Sequence, residues 1–394
     1  MVEKPLHNNN NNNNMKAIEL FAGIGGFRLA CDELGVKTVW ANDIDSKASK
    51  VYQNNFGKGQ HIEGDIEKYI DKIPEHDLLT GGFPCQPFSS AGKKLGIDDV
   101  RGTLFEKIVY ILSKNKPKYF VLENVKRLLS MDKGAHFATI LDALSNLGYL
   151  VEWRVLNAVN FGLPQHRERV VIIGRLELEP RSFLCTEKDF SVLNTKQLSN
   201  IANLNKWKDI INHSAIFSNW GMALNGQFCH ANIKFFSEKK PKVMLKSILE
   251  KTPDDVFYFT EDTLERIKNS EEVNRFYNGV EILYNQRGGA RMGYSIFGVE
   301  GVSSTLTSSA SRHYERYKID DDYRRLTNIE YARIQGFPDN HCKTATRYNQ
   351  YALYGNAVPP QLVKWAIDRS INEKYVELKS IVKQQELIWQ QVKN

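Results

Sequence analysis

Between Lys16 and Arg175, short β-like apolar runs alternate with helix-length amphipathic stretches, and this alternation constrains the fold more than any other feature. The runs are KAIEL from Lys16, VKTVWAN from Val36, DLLTGG from Asp77, KYFVLEN from Lys118, LVEWRVLNA from Leu150 and RVVIIG from Arg169. Strands joined by helix-length segments pair in parallel, because each connection must cross over the sheet, and the crossovers cover both faces. The sequence therefore predicts an α/β, Rossmann-like first domain over 15–178 with a mostly parallel sheet.

From about Leu176 the pattern breaks into irregular polar and aromatic sequence, with a basic patch at Lys234, Lys239, Lys240, Lys242 and Lys246 and glycines at 288, 289 and 293. A smaller, irregular second domain is expected over 179–322. Helical periodicity returns near Arg324, so 323–372 is read as a return to the first domain and 373–394 as a polar helical tail. Residues 1–14, which include an unbroken asparagine run at 8–14, are read as disordered.

A chain of 394 residues is long enough for one large core and a second lobe. No apolar run approaches the roughly 20 residues of a membrane span, and no secretory signal is visible, so a cytoplasmic protein is expected. The five cysteines, Cys31, Cys85, Cys185, Cys229 and Cys342, are far apart and form no CxxC pair. Neither a disulfide framework nor a metal site is expected. A net charge of +7 fits a polyanionic partner without identifying one.

FAGIGG, Phe21 to Gly26, follows the first strand, where its glycines permit a tight turn into a helix and close backbone approach to a ligand. The spacing departs from the dinucleotide GxGxxG pattern. Asp43, at the end of the second strand, suits ribose hydroxyls, and Asp65, where a third strand should end, suits an adenine amino group. Taken alone, these residues fit a nucleoside pocket and structural turns with capping aspartates equally well.

In GGFPCQPFSSAGKK, Gly81 to Lys94, Cys85 stands between Pro84 and Pro87, which disfavour a helix and favour a rigid turn presenting the thiol. A lone cysteine is usually a small buried apolar residue, but core packing does not call for two flanking prolines and two glycines. Ser89, Ser90, Gly92 and Gly96 give the continuation the composition of a closing loop, expected over Pro84 to Thr103. Glu123, at the end of a very apolar strand, delivers a carboxyl group to the sheet edge where sites form. In QHRER, Arg167 and Arg169 are two apart on an expected strand, hence on one face, where both can hold a carboxylate, a phosphate or a base oxygen. Each also has a plain reading as surface.

FAGIGG, GGFPCQPFS, ENV, QHRER, RRLTNIEYARIQGFP (Arg324 to Pro338) and YGNAVPPQLV (Tyr354 to Val363) occur in the order found in bacterial cytosine-5 DNA methyltransferases of the restriction-modification type, which the chain closely resembles. The resemblance covers Lys16 to about Arg175 and Arg324 to about Ser370. It implies a Rossmann-like S-adenosylmethionine-dependent domain with a smaller target-recognition domain, acting on double-stranded DNA as a monomer and paired in function with a restriction endonuclease. It makes Cys85 the nucleophile, Glu123 the contact to the base N3, and Arg167 and Arg169 the residues that orient base and catalytic groups. Phe21, Ala22, Gly23, Gly25, Gly26, Asp43, Ile44, Asp65, Ile66 and Asn356 are the implied cofactor residues. Ile44 replaces the aromatic that many members place there.

Cytosine C5 is a poor nucleophile, so its methylation needs prior addition of a thiolate at C6, made easier by a carboxyl group at N3. A base must leave the duplex stack to be attacked. For DNA contact the sequence offers Gln86, Ser89, Gln286, Arg287, Arg291 and Thr305, with Arg312, Arg316 and Lys318 nearby. Thr305 and Leu306 resemble a Thr-Leu pair of the recognition lobe. More residues than expected precede LKSILEKTPDD (Leu245 to Asp255), so 180–240 is an insertion or an enlarged part of that lobe. The nearest alternative is a transfer-RNA cytosine-5 methyltransferase on the same fold.

Overall fold

The computed structural model describes residues 9–85, 103–235, 242–285 and 295–393. Most of the Pro84–Thr103 segment lies outside them, as do Gln86, Ser89, Gln286, Arg287 and Arg291.

Strands β1 (Lys16–Leu20), β2 (Lys37–Asp43), β3 (His61–Glu63), β4 (Leu78–Gly82), β5 (Tyr119–Val125), β6 (Leu150–Asn157) and β7 (Glu168–Arg175) form where the apolar runs predict them. Helices α1 (Gly26–Glu33), α2 (Ser46–Phe56), α3 (Leu104–Asn115) and α4 (Ala135–Ser145) lie between them. The order β3-β2-β1-β4-β5 is parallel throughout, whereas β7 runs antiparallel to both β5 and β6. The parallel pairing expected of most of the sheet thus ends at β5. The period-2 alternation of the strands sorts their side chains between two cores. Ile18, Leu20, Phe120 and Leu122 face α3 and α4, while Ala17, Leu78, Tyr119 and Val121 face α1.

The rest of the chain contains β8 (Arg181–Ser182), α5 (Thr195–Ala202), β9 (Lys208–Asp209), β10 (Trp220–Leu224), β11 (Gln227–Ala231), α6 (Glu261–Lys268), β12 (Glu271–Tyr277), β13 (Val280–Asn285), β14 (Ser295–Phe297), β15 (Arg316–Ile319) and β16 (Asp322–Arg324). It ends with α7 (Asn328–Gln335), α8 (Arg347–Gly355), α9 (Pro360–Ile371), β17 (Val376–Glu377) and α10 (Leu378–Lys393). α9 packs with α1 against the sheet, so the chain does return to its first domain.

Three expectations need correction. The segment around 180–235 is not part of the second lobe: β10 pairs with β6, and β11 and β9 extend the same sheet to ten strands. Glu152 on β6 fixes this join, its buried carboxylate accepting from Ser182 Oγ (2.6 Å), Trp220 Nε1 (2.8 Å) and the Phe183 N–H (2.8 Å). Without β10, β6 would be an open edge. The second lobe itself is less irregular than expected, being built on a five-stranded sheet β12-β13-β14-β15-β16 that extends to Arg324. Residues 9–14, expected to be disordered, form a 3-10 turn in which buried Asn12 donates to Leu34 O; the helical tail is present as α10, with Leu378 and Ile381 buried against the α5 layer. Among the described residues, no helix is long and apolar enough to cross a membrane.

Candidate active site

Directly after β1 the backbone turns left-handed at Phe21 (φ 51°), Gly23 (φ 54°) and Gly25 (φ 93°), and α1 starts at Gly26. A Cβ on Gly26 would lie 2.2 Å from Val358 O, so only glycine lets α1 approach the chain entering α9 this closely. Gly23 N–H donates to Asp43 Oδ2 (2.7 Å) and Asp45 N–H to Asp43 Oδ1 (2.8 Å). The carboxylate at the end of β2 thus fixes the glycine loop after β1. Burial nevertheless pushes the Asp43 carboxyl above its ordinary value, because desolvation outweighs the two N–H donors.

A cavity of about 600 Å³ opens at the carboxyl ends of β1, β2, β4 and β5. Phe21, Gly23, Asp43, Ile44, Asp65, Ile66 and Asn356 line it together with Cys85, Glu123, Arg167 and Arg169. Ala22, Gly25 and Gly26 lie behind the wall: the Ala22 N–H is spent on Asn42 O, and the two glycines abut Phe56 and Val358. Asp65 caps a short 3-10 turn through the Glu67 N–H, and Asn356 ends α8 with an exposed side chain. Ile44 is 72% exposed although it lines the cavity, which leaves an apolar face uncovered at the pocket wall.

The residues fit a sulfonium nucleoside. A Cβ on Gly23 would meet nothing within 4 Å, so a ligand can reach the backbone there. Ile44 and Ile66 supply apolar surface for a base, and Asp43 and Asp65 supply acceptors for hydroxyl and amino groups.

Cys85 follows β4 by three residues and is exposed, whereas Cys31, Cys185 and Cys342 are buried. Desolvation of the sulfur raises its pKa above the ordinary thiol value, and the Arg127 charge opposes this. The Sγ–H donates to Met131 Sδ at 3.0 Å. Lining the same cavity, Glu123 is buried near the end of β5, in register with Gly82 of β4, and burial pushes its carboxyl up against the pull of Arg169 and then Arg167. Arg169 Nε lies 3.2 Å from Glu123 Oε1.

Arg167 precedes β7 rather than lying within it, and it plays a different part from Arg169. Its guanidinium donates to Leu306 O (2.8 Å), Gly355 O (3.1 Å) and Ala357 O (3.2 Å). Burial, then repulsion from Arg169, pushes its pKa down to about 9. It ties the start of β7 to two distant segments, one at Leu306 and one at Gly355–Ala357.

Sequence reasoning missed the residues that brace this arrangement. Asn124 donates to Phe83 O (3.2 Å), linking β5 to the turn before Cys85. Gln165 donates to Gln335 Oε1 (2.7 Å) and accepts from Leu306 N–H (3.0 Å), while Gln335 donates to Tyr354 O (2.6 Å). Their only signal was membership of the motif segments ENV, QHRER and RIQGFP. Thr305 does not line the cavity, and its hydroxyl donates to His166 O (2.8 Å). Arg312 is paired with Glu315 at 2.9 Å, and the Lys318 ammonium sits 5.9 Å from the Tyr284 ring centre.

Residues 15–372 match the sequence family described as C-5 cytosine-specific DNA methylase. The Type II methyltransferase M1.ScrFI of Lactococcus lactis subsp. cremoris is 34% identical over 376 residues, covering 94% of this chain and 80% of that protein. M.HaeII of Haemophilus aegyptius, also a Type II methyltransferase, is 52% identical over a shorter 163 residues, 41% of this chain and 51% of that protein. In fold, the chain superposes on a solved methyltransferase of Entamoeba histolytica with a TM-score of 0.59 at 17% identity, covering 91% of this chain and 98% of that one.

Proposed function

The chain belongs to the C-5 cytosine-specific DNA methylases and is a DNA cytosine-5-methyltransferase of the Type II restriction-modification family, and on that premise we propose that it methylates a cytosine flipped out of a specific duplex sequence, through covalent addition of Cys85. What supports this reading is that one cavity is lined by a thiol, a buried carboxyl held by arginine, and a glycine loop flanked by Asp43, Ile44, Asp65 and Ile66.

S-adenosylmethionine, when bound along Phe21, Gly23, Asp43, Ile44, Asp65, Ile66 and Asn356, supplies the methyl group. The Cys85 thiolate adds to C6, and the ring electron pair moves toward C5. Glu123, whose carboxyl burial pushes above its ordinary value, hydrogen-bonds or protonates N3 as that charge develops. Arg169 holds the Glu123 carboxyl at the ring edge, and Arg167 holds the wall behind it. After C5 is methylated, its proton passes to solvent, the C5–H electron pair re-forms the ring double bond, and the Cys85 sulfur leaves C6 as the thiolate.

The second lobe, with Thr305 at its junction, is the target-recognition region in this reading. Base edges and phosphates require Arg, Lys and Gln contacts of the kind found there. The product protects host DNA from a cognate endonuclease. The test is transfer of labelled methyl from S-adenosylmethionine to duplex DNA or to transfer RNA. Label in duplex DNA at 5-methylcytosine is expected, and label only in RNA would overturn the substrate assignment.

A further inference from the structure

The inserted segment around 180–235 reaches back to the turn beside Cys85. That turn, Leu129 to Gly134, follows β5. Asp132 (φ 48°) and Lys133 (φ 51°) are both left-handed without being glycine, a conformation that persists only where surroundings enforce it. Two contacts with the inserted segment do so. Phe217 N–H donates to Leu129 O (3.2 Å), and Gly134 (φ 89°) lies so close to Ala215 that a Cβ would stand 2.2 Å from its carbonyl oxygen. Phe217 is itself locked by ring contacts with Phe137 and Trp153, at 5.1 and 5.7 Å between centres. Between these two anchored ends, Met131 Sδ accepts the Cys85 thiol hydrogen at 3.0 Å.

We propose that the inserted segment positions the nucleophile: by bracing the Leu129–Gly134 turn it holds Met131 against Cys85, so that the thioether fixes the thiol in a protonated resting position until substrate displaces it. Met131 is thus a positioning residue, and the insertion is a part of the catalytic body that acts on the thiol from outside the motif segments. The inference gives a role to the Cys85 assignment above, but its test reads the thiol in the free enzyme and does not depend on turnover. If Cys85 were not the nucleophile, the Met131 contact would still register in that test.

The measurement is the rate of iodoacetamide alkylation of Cys85 across pH, quantified on the Cys85 peptide, in the full-length protein and in Met131→Leu, Gly134→Ala and Phe217→Leu. Charged and titratable groups around the thiol and its turn are Arg127 just before the turn, Glu123 on the same cavity, Asp132 and Lys133 beside Met131, and, on the bracing segment, His213 against the Phe217 ring. All of them are retained in the three variants. Met131→Leu keeps the apolar bulk but removes the sulfur acceptor. It is expected to alkylate about threefold faster near neutral pH, with its midpoint lowered by about half a pH unit. Gly134→Ala disturbs the brace while the Met131 sulfur is retained in the sequence, and its rate and midpoint are expected to move the same way. Phe217→Leu, which keeps an apolar plug in the aromatic cluster, provides the same test if Gly134→Ala does not fold. Unchanged alkylation in Met131→Leu would overturn the role of the sulfur contact. A shift in Met131→Leu with wild-type behaviour in the folded brace variants would overturn the role of the insertion.

Discussion

Arg169 Nε stands 3.2 Å from Glu123 Oε1, on antiparallel neighbours β7 and β5, with both residues largely buried at the cavity wall. The pairing holds a carboxyl group with a raised pKa at a fixed place on the sheet edge. Glu123→Gln keeps the shape and removes the proton donor. It is expected to lower the methylation rate by about 10²- to 10⁴-fold, while S-adenosylmethionine affinity measured by calorimetry stays within a few-fold of wild type. Loss of cofactor binding in parallel with activity would reassign Glu123 to the cofactor wall.

Arg167 makes a different prediction, because its guanidinium serves three backbone carbonyls from segments far apart in sequence. Arg167→Ala leaves Leu306 O, Gly355 O and Ala357 O without that donor in a buried setting. Each buried acceptor left unpaired costs about 1–3 kcal/mol, so urea denaturation should show a loss of about 3 kcal/mol or more. Arg167→Lys should recover only part of this, since a single ammonium cannot reproduce the planar fork. Wild-type stability in both variants would remove Arg167 from its structural role.

How much of this was legible in the sequence depends on the range of the interaction. FAGIGG, the proline-flanked Cys85 and the strand-ending Glu123 could be read because turn chemistry and strand periodicity are local. The Gln165–Gln335 bond spans 170 positions, and nothing near either residue specifies it. The segment around 180–235 was misplaced for a similar reason. Its strands are short, and what attaches them to β6 is the buried Glu152 network, which forms only in three dimensions. Arg167 and Arg169 were expected to share one role because they are two apart, but Arg167 lies outside the strand and turns to the returning C-terminal segment.

Glu19 on β1 predicts a pH dependence of stability. It is buried, accepts from Tyr52 Oη at 2.9 Å, and has its pKa raised by burial from 4.5 to about 8. The folded state therefore holds a proton that the unfolded state releases at lower pH. Stability is lost as pH rises from 4.5 to about 8 and levels off above that. Glu19→Gln abolishes this term. Its melting temperature is expected to exceed wild type by an amount that is small near pH 5 and largest above pH 8. An offset independent of pH would show that Glu19 is not protonated in the fold.

The two ends of the glycine loop should respond differently to a methyl group. Gly26→Ala drives a Cβ to 2.2 Å from Val358 O and is expected to destabilise the protein as an overpacked contact, by about 1–3 kcal/mol. Gly23→Ala meets no atom within 4 Å, so its main effect should be on cofactor affinity, with a smaller backbone cost at φ 54°. Thermal melts with and without S-adenosylmethionine separate the two outcomes. Equal cofactor-induced stabilisation in wild type and Gly23→Ala would argue that the loop does not face the ligand.

The central claim is that Cys85 attacks the base. Duplex DNA carrying 5-fluorocytosine at the target position blocks release of the sulfur, because C5 then holds no proton to lose. With S-adenosylmethionine present, wild-type protein is predicted to form a denaturation-stable protein–DNA complex cross-linked at Cys85, and Cys85→Ala none, while still binding the cofactor. A covalent complex of equal yield in Cys85→Ala, or methylation by that variant at the wild-type rate, would contradict the account.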